Sequence, residues 1–195
     1  MSQPTLLLLD FQEAIVRTDG PVGGASGLAA EIARRGVLAR ARAVLDHFRA
    51  RNWPVAFIRV AFDDNYHNLT SGSARFANMR KAGLMRASDP WSHICSELTP
   101  LATEPVVSKG CVNPFIGTNL AQLLNRLQPS ELVLAGVATN HVVESTTRHA
   151  ADSGFKVIVL EDVCASFSQE AHEASVKHNL PLYAELKQSA DYMAA

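Results

Sequence analysis

A short apolar segment that leads directly into a helical pattern constrains this chain more than any other feature. Residues 132–135 form a continuous apolar run, Leu-Val-Leu-Ala, which Gly136 interrupts. Thr139 and Asn140 follow, both favourable N-cap residues, and the helical pattern begins there. A strand that continues into a helix N-terminus is where α/β proteins build ligand sites, because unpaired backbone N–H groups point outward.

The remainder of the chain repeats this alternation of strand and helix. Apolar runs predict strands at 5–9, 54–60, 104–108, 132–135, 157–160 and 182–186. Helical spacing recurs at 37–48, 118–127 and 169–178, and a terminal helical turn is predicted at 189–193. This alternation predicts an α/β fold with three layers, in which helices cover both faces of a doubly wound, mostly parallel sheet of about six strands. Residues 1–195 are expected to form a single domain.

Composition excludes several classes of function. The 18 basic residues nearly balance the 19 acidic residues, so the chain has no excess of positive charge that would favour binding to nucleic acid or to an anionic membrane. No apolar run approaches the roughly 20 residues of a membrane span, and the N-terminus lacks a signal-type basic region. The three cysteines form no CxxC pair, which argues against a disulfide framework or a structural zinc site. We therefore expect a cytoplasmic protein. A small-molecule substrate and no cofactor are expected as well, on the motifs and not on the composition.

Two charged residues follow predicted strands. Asp10 comes directly after the apolar run at 5–9, and Lys109 follows the strand at 104–108. Right-handed crossovers place the carboxyl ends of parallel strands at one edge of a sheet, so Asp10, Lys109 and residues 137–142 are expected to converge there. The alternative for Asp10 is a structural role in a helix cap or a turn.

The longest connection without a clear pattern covers residues 61–90, and a connection of this length is typical of a functional loop or lid. Asp63, Asp64 and His67 are conceivable metal ligands, but their spacing matches no strong metal signature and favours a solvated loop. We predict no metal. The basic residues of this segment either receive an anionic substrate or form a solvated face; they are Arg75, Arg80, Lys81 and Arg86.

Three motifs in order carry a family resemblance. They are LLLLDFQ at 6–12, KGCVNPFIGTNL at 109–120, and GVATNHVVESTTRHAADSGFKVIVLEDVCAS at 136–166. Together they resemble the isochorismatase-like hydrolase superfamily, which also contains nicotinamidases and N-carbamoylsarcosine amidases. Within the second motif, Asn113 and Pro114 stand where Ser and Ala are common in the family.

The resemblance implies roles for individual residues. Asp10 matches the aspartate of the family and Lys109 its lysine, and a cis peptide bond is implied between Val137 and Ala138. The substrate-pocket candidates are Phe11, Gln12, Phe115, Val137, Ala138, Thr139 and His141. For His141, a single histidine at a helix start, a surface or capping role is the alternative. The family usually assembles into dimers or tetramers, so a homodimer or homotetramer is expected.

The chain departs from the family pattern at Val142. In the amidase branch this position is the nucleophilic cysteine, and valine cannot attack a carbonyl carbon. The sequence is therefore similar to the branch that lacks the cysteine, in which an aspartate is thought to protonate a vinyl ether. That similarity implies that Asp10 is the general acid and that Lys109 orients it. Two alternatives stay open: a pseudoenzyme that only binds a small molecule, and an amidase that uses a relocated nucleophile such as Cys111.

Overall fold

The computed structural model describes residues 2–195, in which six strands form one sheet with the order β3-β2-β1-β4-β5-β6. Every neighbouring pair of strands is parallel. The strands are β1 (Thr5–Leu9), β2 (Val55–Val60), β3 (Val106–Lys109), β4 (Leu132–Val137), β5 (Val157–Ala165) and β6 (Glu185–Lys187). The predicted doubly wound α/β fold is confirmed, and chain order reverses between β1 and β4.

The helices are α1 (Glu13–Val16), α2 (Gly23–Ser26), α3 (Leu28–Arg34), α4 (Val37–Ala50), α5 (Ala74–Lys81), α6 (Leu120–Leu127), α7 (Glu144–Asp152), α8 (Gln169–Ala174) and α9 (Ser189–Ala194). A π-helical turn, Thr139–Val143, precedes α7, and a second one, Ser175–Asn179, follows α8. Short 3-10 helices are found at Pro90–Ser92, Ser96–Leu98 and Leu180–Leu182. Within residues 2–195, no helix combines the length and the apolar character needed to span a lipid bilayer.

The two faces of the sheet have separate cores because successive side chains of a strand point to opposite faces. In β1, Leu6 and Leu8 belong to one core, whereas Leu7 and Leu9 belong to the other. Helices α3, α4 and α9 contribute to the first core, and α6 and α7 contribute to the second. This arrangement explains why β1 reads as a continuous apolar run: both of its faces are fully buried.

Several boundaries differ from the sequence-based predictions. Strand β4 continues through Gly136 to Val137, and β5 extends to Ala165 after a shift in its register with β4. Helices also form where the sequence analysis predicted none: α1 and α2 lie within 11–27, and α5 lies within the connection 61–90. The short α1 forms because Ala14, Ile15 and Val16 are buried in the first core.

Thr139 and Asn140 do not cap the helix that follows them. The first turn is π-helical, Ala138 is its N-cap residue, and no side chain caps it. The Thr139 hydroxyl instead contacts the His172 imidazole, and the Asn140 amide oxygen accepts a hydrogen bond from Ser166. Tertiary contacts therefore take precedence over local capping at this position.

Gly136 permits the close pairing of β1 with β4. It pairs with Leu9, and a Cβ atom at Gly136 would lie 2.4 Å from Leu9 Cβ and 2.6 Å from Leu9 O. Because the carbonyl belongs to the backbone of a central strand, it has no freedom to move aside.

We predict that Gly136→Ala destabilises the fold by about 1–3 kcal/mol, because overpacking a dense core forces the backbone to shift. The free energy of unfolding from urea denaturation measures this loss. Gly72→Ala is the matched control, since no atom lies within 4 Å of its new Cβ, and its effect should stay within about 0.5 kcal/mol. Equal effects of the two substitutions would contradict the close packing of β1 against β4.

Candidate active site

A buried ion pair lies at the carboxyl edge of the sheet. Asp10 directly follows β1, and Lys109 is the last residue of β3, two strands away in the same sheet. The Lys109 Nζ donates a hydrogen bond to Asp10 Oδ2 at 2.9 Å and to the Cys111 carbonyl oxygen at 3.1 Å. Both charged side chains are almost completely excluded from solvent. The pair lies at the edge where parallel sheets bind ligands, and β1 flanks the point at which strand order reverses.

The Asp10 carboxyl has one bonded oxygen and one free oxygen. Asp10 Oδ2 accepts from Lys109, whereas Oδ1 is buried without a hydrogen-bond partner among residues 2–195. The backbone of Asp10 has a φ of 59°, a left-handed conformation that aspartate tolerates better than most residues. Its amide donates to the Ile58 carbonyl, which holds the residue beside β2. Lys109 therefore occupies one oxygen of the carboxyl and leaves the other unpaired.

Burial raises the pKa of Asp10 above its ordinary value, because the charged form loses its hydration. The charge and hydrogen bond of Lys109 act in the opposite direction, as does the more distant charge of Arg75, but burial is the larger effect. The carboxyl therefore keeps a proton at pH values where an exposed aspartate has lost it.

A cavity of about 40 Å³ adjoins this carboxyl. A buried water molecule requires roughly 10–15 Å³ of such a cavity, so there is room for a few water molecules. Its polar lining residues are Asp10, Arg75, Lys109 and His141. Its apolar lining residues are Ile15, Leu28, Val60, Phe76, Met79, Met85, Val112, Val137, Ala138, Val142 and Phe167. A small number of converging polar groups on an apolar wall is the usual composition of a small-molecule site.

The turn after β4 supplies one wall of the cavity. Val137, Ala138, His141 and Val142 all line it, and the peptide bond between Val137 and Ala138 is cis, as the family resemblance implies. Val142 is 1% exposed and offers only methyl groups. Burial lowers the pKa of His141, and the neighbouring charge of Arg75 lowers it further, which favours a neutral imidazole.

Four other pocket candidates lie outside the cavity lining. Phe11 is fully buried in the first core. The Gln12 amide is used up in hydrogen bonds to the backbone of Val60 and of Ser92. The Thr139 side chain is fully buried, and its hydroxyl contacts His172.

Phe115, the fourth of these candidates, stacks on the imidazole of His149 with a centroid distance of 4.2 Å. A family motif therefore indicates which segments lie near the site, whereas tertiary packing determines which of their side chains point into the cavity.

The segment 61–90 contributes residues that the sequence pattern alone did not single out. Of its four basic candidates, only Arg75 lines the cavity; Arg80, Lys81 and Arg86 are exposed. The Arg75 guanidinium lies 5.1 Å from the ring centroid of Phe167, and the His141 ring lies 5.0 Å from the same ring.

Phe167 also had no sequence signal of its own, since it is the first residue beyond the third motif. Phe76 and Met79 line the cavity from α5, one helical turn apart. A helical pattern within 61–90 would have been the signal for them, but the segment is mostly polar.

None of the three cysteines is a lining residue of this cavity. The Cys111 thiol donates to the Asn113 carbonyl oxygen at 3.2 Å, and it is 7% exposed. Burial raises the pKa of both Cys95 and Cys164 to about 12, so these thiols remain protonated and unreactive.

Asp63 organises a local turn. Its carboxylate accepts backbone hydrogen bonds from His67 at 2.8 Å and from Asn65 at 3.1 Å, and these bonds lower its pKa. Within residues 2–195, no group of three or more His, Cys, Asp or Glu side chains is arranged to hold a metal ion.

Comparison with known proteins agrees with the fold. A family model described as the isochorismatase domain matches residues 4–191. The chain belongs to the isochorismatase family. Family membership assigns it to the hydrolases, and the bond that it cleaves depends on the side chains around this cavity.

Individual relatives of this isochorismatase-family hydrolase align along most of its length. YwoC of Bacillus subtilis, an isochorismatase family protein, is 29% identical over 96% of this chain and 91% of its own. The ureidoacrylate amidohydrolase RutB of Variovorax paradoxus is 27% identical over 93% of this chain and 76% of its own. The isochorismatase family protein from Desulfovibrio vulgaris has a solved structure that matches with a TM-score of 0.86 at 20% identity, covering 100% of both chains. That last likeness concerns the fold alone.

We predict strong energetic coupling between Asp10 and Lys109. Asp10→Ala or Lys109→Met alone should destabilise the protein by about 3–5 kcal/mol, because each leaves the other group buried without its hydrogen-bond partner. The double variant should lose much less than the sum, as urea denaturation of all four proteins would measure. Additivity within about 0.5 kcal/mol would contradict a direct interaction.

Proposed function

We propose that this protein is a hydrolase that works without a cysteine nucleophile and cleaves an enol (vinyl) ether, with Asp10 as the general acid. The observation that carries this proposal is the state of the Asp10 carboxyl. It is buried, its pKa is raised, and one of its two oxygens has no partner among the described residues. A general acid must hold a proton at the working pH and present it to the substrate.

The proposed reaction needs no covalent enzyme intermediate. Asp10 donates its proton to the terminal carbon of the enol ether, and the carbon that bears the ether oxygen becomes an oxocarbenium ion. A water molecule adds to that carbon, and the Asp10 carboxylate takes back a proton. The resulting hemiketal then separates into a carbonyl compound and an alcohol. One water is consumed, and the carboxyl is regenerated.

Lys109 has two roles in this proposal. Its hydrogen bond at 2.9 Å fixes the orientation of the carboxyl, so that Oδ1 is the oxygen available to the substrate. Its positive charge also stabilises the Asp10 carboxylate that exists after the proton has been transferred. Lys109 alone would lower the pKa of Asp10 and leave the carboxyl ionised before the substrate binds, and burial offsets this effect.

The side chains around the cavity favour this chemistry over acyl transfer. Val142 occupies the position that the family resemblance assigns to the nucleophile, and a valine side chain cannot attack a carbonyl. Cys111, the alternative nucleophile, has its thiol bonded to the Asn113 carbonyl and lies outside the cavity lining.

Amide hydrolysis is the second candidate, because RutB is named an amidohydrolase and aligns over 93% of this chain. A protein that only binds its ligand is the third candidate. Turnover on an enol ether and on the corresponding amide separates these alternatives.

We further propose that the substrate is a small molecule with an anionic group. Arg75 supports this, since it is the basic residue of the segment 61–90 that reaches the cavity lining. A guanidinium held against the Phe167 ring is suited to bind a carboxylate through two parallel hydrogen bonds.

The cellular setting is also part of the proposal. Three free and buried cysteines accord with a reducing cytoplasm. Assembly into a homodimer or homotetramer, which the family resemblance implies, also belongs to the proposal.

The proposal predicts that the purified protein hydrolyses isochorismate or a related enol ether, and that Asp10→Asn lowers kcat/KM by about 10²–10⁴-fold. The rate of the wild-type protein should fall as pH rises through the pKa of Asp10, because the acid is then ionised. Since burial raises that pKa, this fall should lie above the pH range of an ordinary aspartate.

Cys111→Ala serves as the control and should keep the wild-type rate, because its thiol has no part in the proposed chemistry. Unchanged turnover in Asp10→Asn would refute the role of Asp10. Loss of activity in Cys111→Ala, together with turnover of amides, would favour the relocated nucleophile instead.

A further inference from the structure

A second set of buried polar groups lies behind the turn Thr139–Val143, which is called the cavity-lining turn below. The Thr139 Oγ1 is 2.8 Å from His172 Nδ1, and both side chains are almost completely buried. On the other side of the imidazole, His172 Nε2 lies 3.4 Å from Glu161 Oε2. The three residues come from separate elements: the turn after β4, helix α8 and strand β5.

Further contacts hold the Glu161 carboxylate in place. Arg35 Nη2 lies 3.5 Å from its Oε2, and the Gln188 amide donates to its Oε1. Contact with His172 lowers the pKa of Glu161, and the Gln188 hydrogen bond and the Arg35 charge lower it further, which keeps the carboxylate ionised. An ionised carboxylate beside Nε2 favours the tautomer with its proton there. His172 Nδ1 is then an acceptor, and the Thr139 hydroxyl donates to it.

Enzymes with a hydroxyl nucleophile use the same three groups in the same order: the imidazole acts as the base, and the carboxylate orients the imidazole. The surroundings of Thr139 argue against that role. Its side chain is fully buried, and it is absent from the cavity lining, whereas the residue before it, Ala138, lines the cavity. A substrate in the cavity therefore has no path to the Thr139 hydroxyl. The three residues Thr139, His172 and Glu161 instead hold the turn in position.

We propose that His172 is a positioning residue, which fixes the cavity-lining turn through its hydrogen bond with Thr139. The turn carries Ala138, His141 and Val142 into the cavity, and its own first residues have no side-chain cap. The contact with His172 anchors this turn to helix α8, in addition to the backbone bonds that join it to its own helix, α7. The expected effect on turnover rests on the proposed hydrolysis, whereas the structural role of the contact does not.

The substitutions Thr139→Val and Thr139→Ser form a matched pair. Valine keeps the shape of threonine and removes the hydroxyl, whereas serine keeps the hydroxyl. At a temperature where circular dichroism finds all variants folded, Thr139→Val should lower kcat about ten- to a hundredfold, because small displacements in a site carry penalties of that size. The effect should fall on kcat more than on KM, and the pH at which the rate falls should not move, since Asp10 is untouched. Thr139→Ser should restore most of the rate, and His172→Gln should resemble Thr139→Val.

A second readout does not depend on turnover. The ¹³C–¹H resonance of the His141 ring, assigned with His141→Gln, reports the environment of the cavity-lining turn. It should shift in Thr139→Val and stay close to the wild-type position in Thr139→Ser. Wild-type kcat in Thr139→Val, or an unmoved His141 resonance, would overturn the positioning role while leaving Asp10 unaffected. A shifted resonance in a protein with no hydrolase activity would instead support the positioning role and refute the proposed reaction.

Discussion

The buried contact between Asp10 and Lys109 is the interaction on which the site depends. It joins the ends of two strands that are separated by β2, and it places two ionisable groups where water is almost absent. Removing charges from water is unfavourable unless they are paired, so the contact requires both partners and a well-packed sheet behind them. The apolar strands β1 and β2 supply that packing, and Gly136 allows β4 to approach β1 closely enough to complete it.

The same burial that makes the pair unfavourable in isolation underlies the proposed role of Asp10 as a general acid. Burial raises the pKa of the carboxyl, whereas Lys109 lowers it, and the outcome decides whether the group is an acid or a structural anion. The cavity is lined mostly by apolar side chains, which keep the local environment poorly hydrated. Arg75 and His141 are the other polar groups of the lining, and both contact the Phe167 ring from different elements. The proposed catalysis depends on the position of Asp10 and Lys109 at the edge of the sheet and on the apolar side chains around them.

Much of this arrangement could be predicted from the sequence. Continuous apolar runs such as TLLLL identify strands buried on both faces, and strand polarity then brings Asp10 and Lys109 to one edge. The apolar lining residues Phe76, Met79 and Phe167 could not be predicted in the same way, because no local pattern specifies where a long connection folds back. Thr139 illustrates a different limit. Its sequence context suggested a helix cap, whereas its hydroxyl is bound by a histidine 33 residues later in the chain.

The most direct test of the central claim is the ionisation of Asp10 itself. The ¹³C resonance of its side-chain carboxyl, assigned by comparison with Asp10→Asn, reports the protonation state as the pH is varied. The account predicts a midpoint above about 3.9, the ordinary value for aspartate, because burial outweighs the opposing charge of Lys109. A midpoint at or below that value would mean that Asp10 is a permanent anion, and it would contradict its role as the general acid.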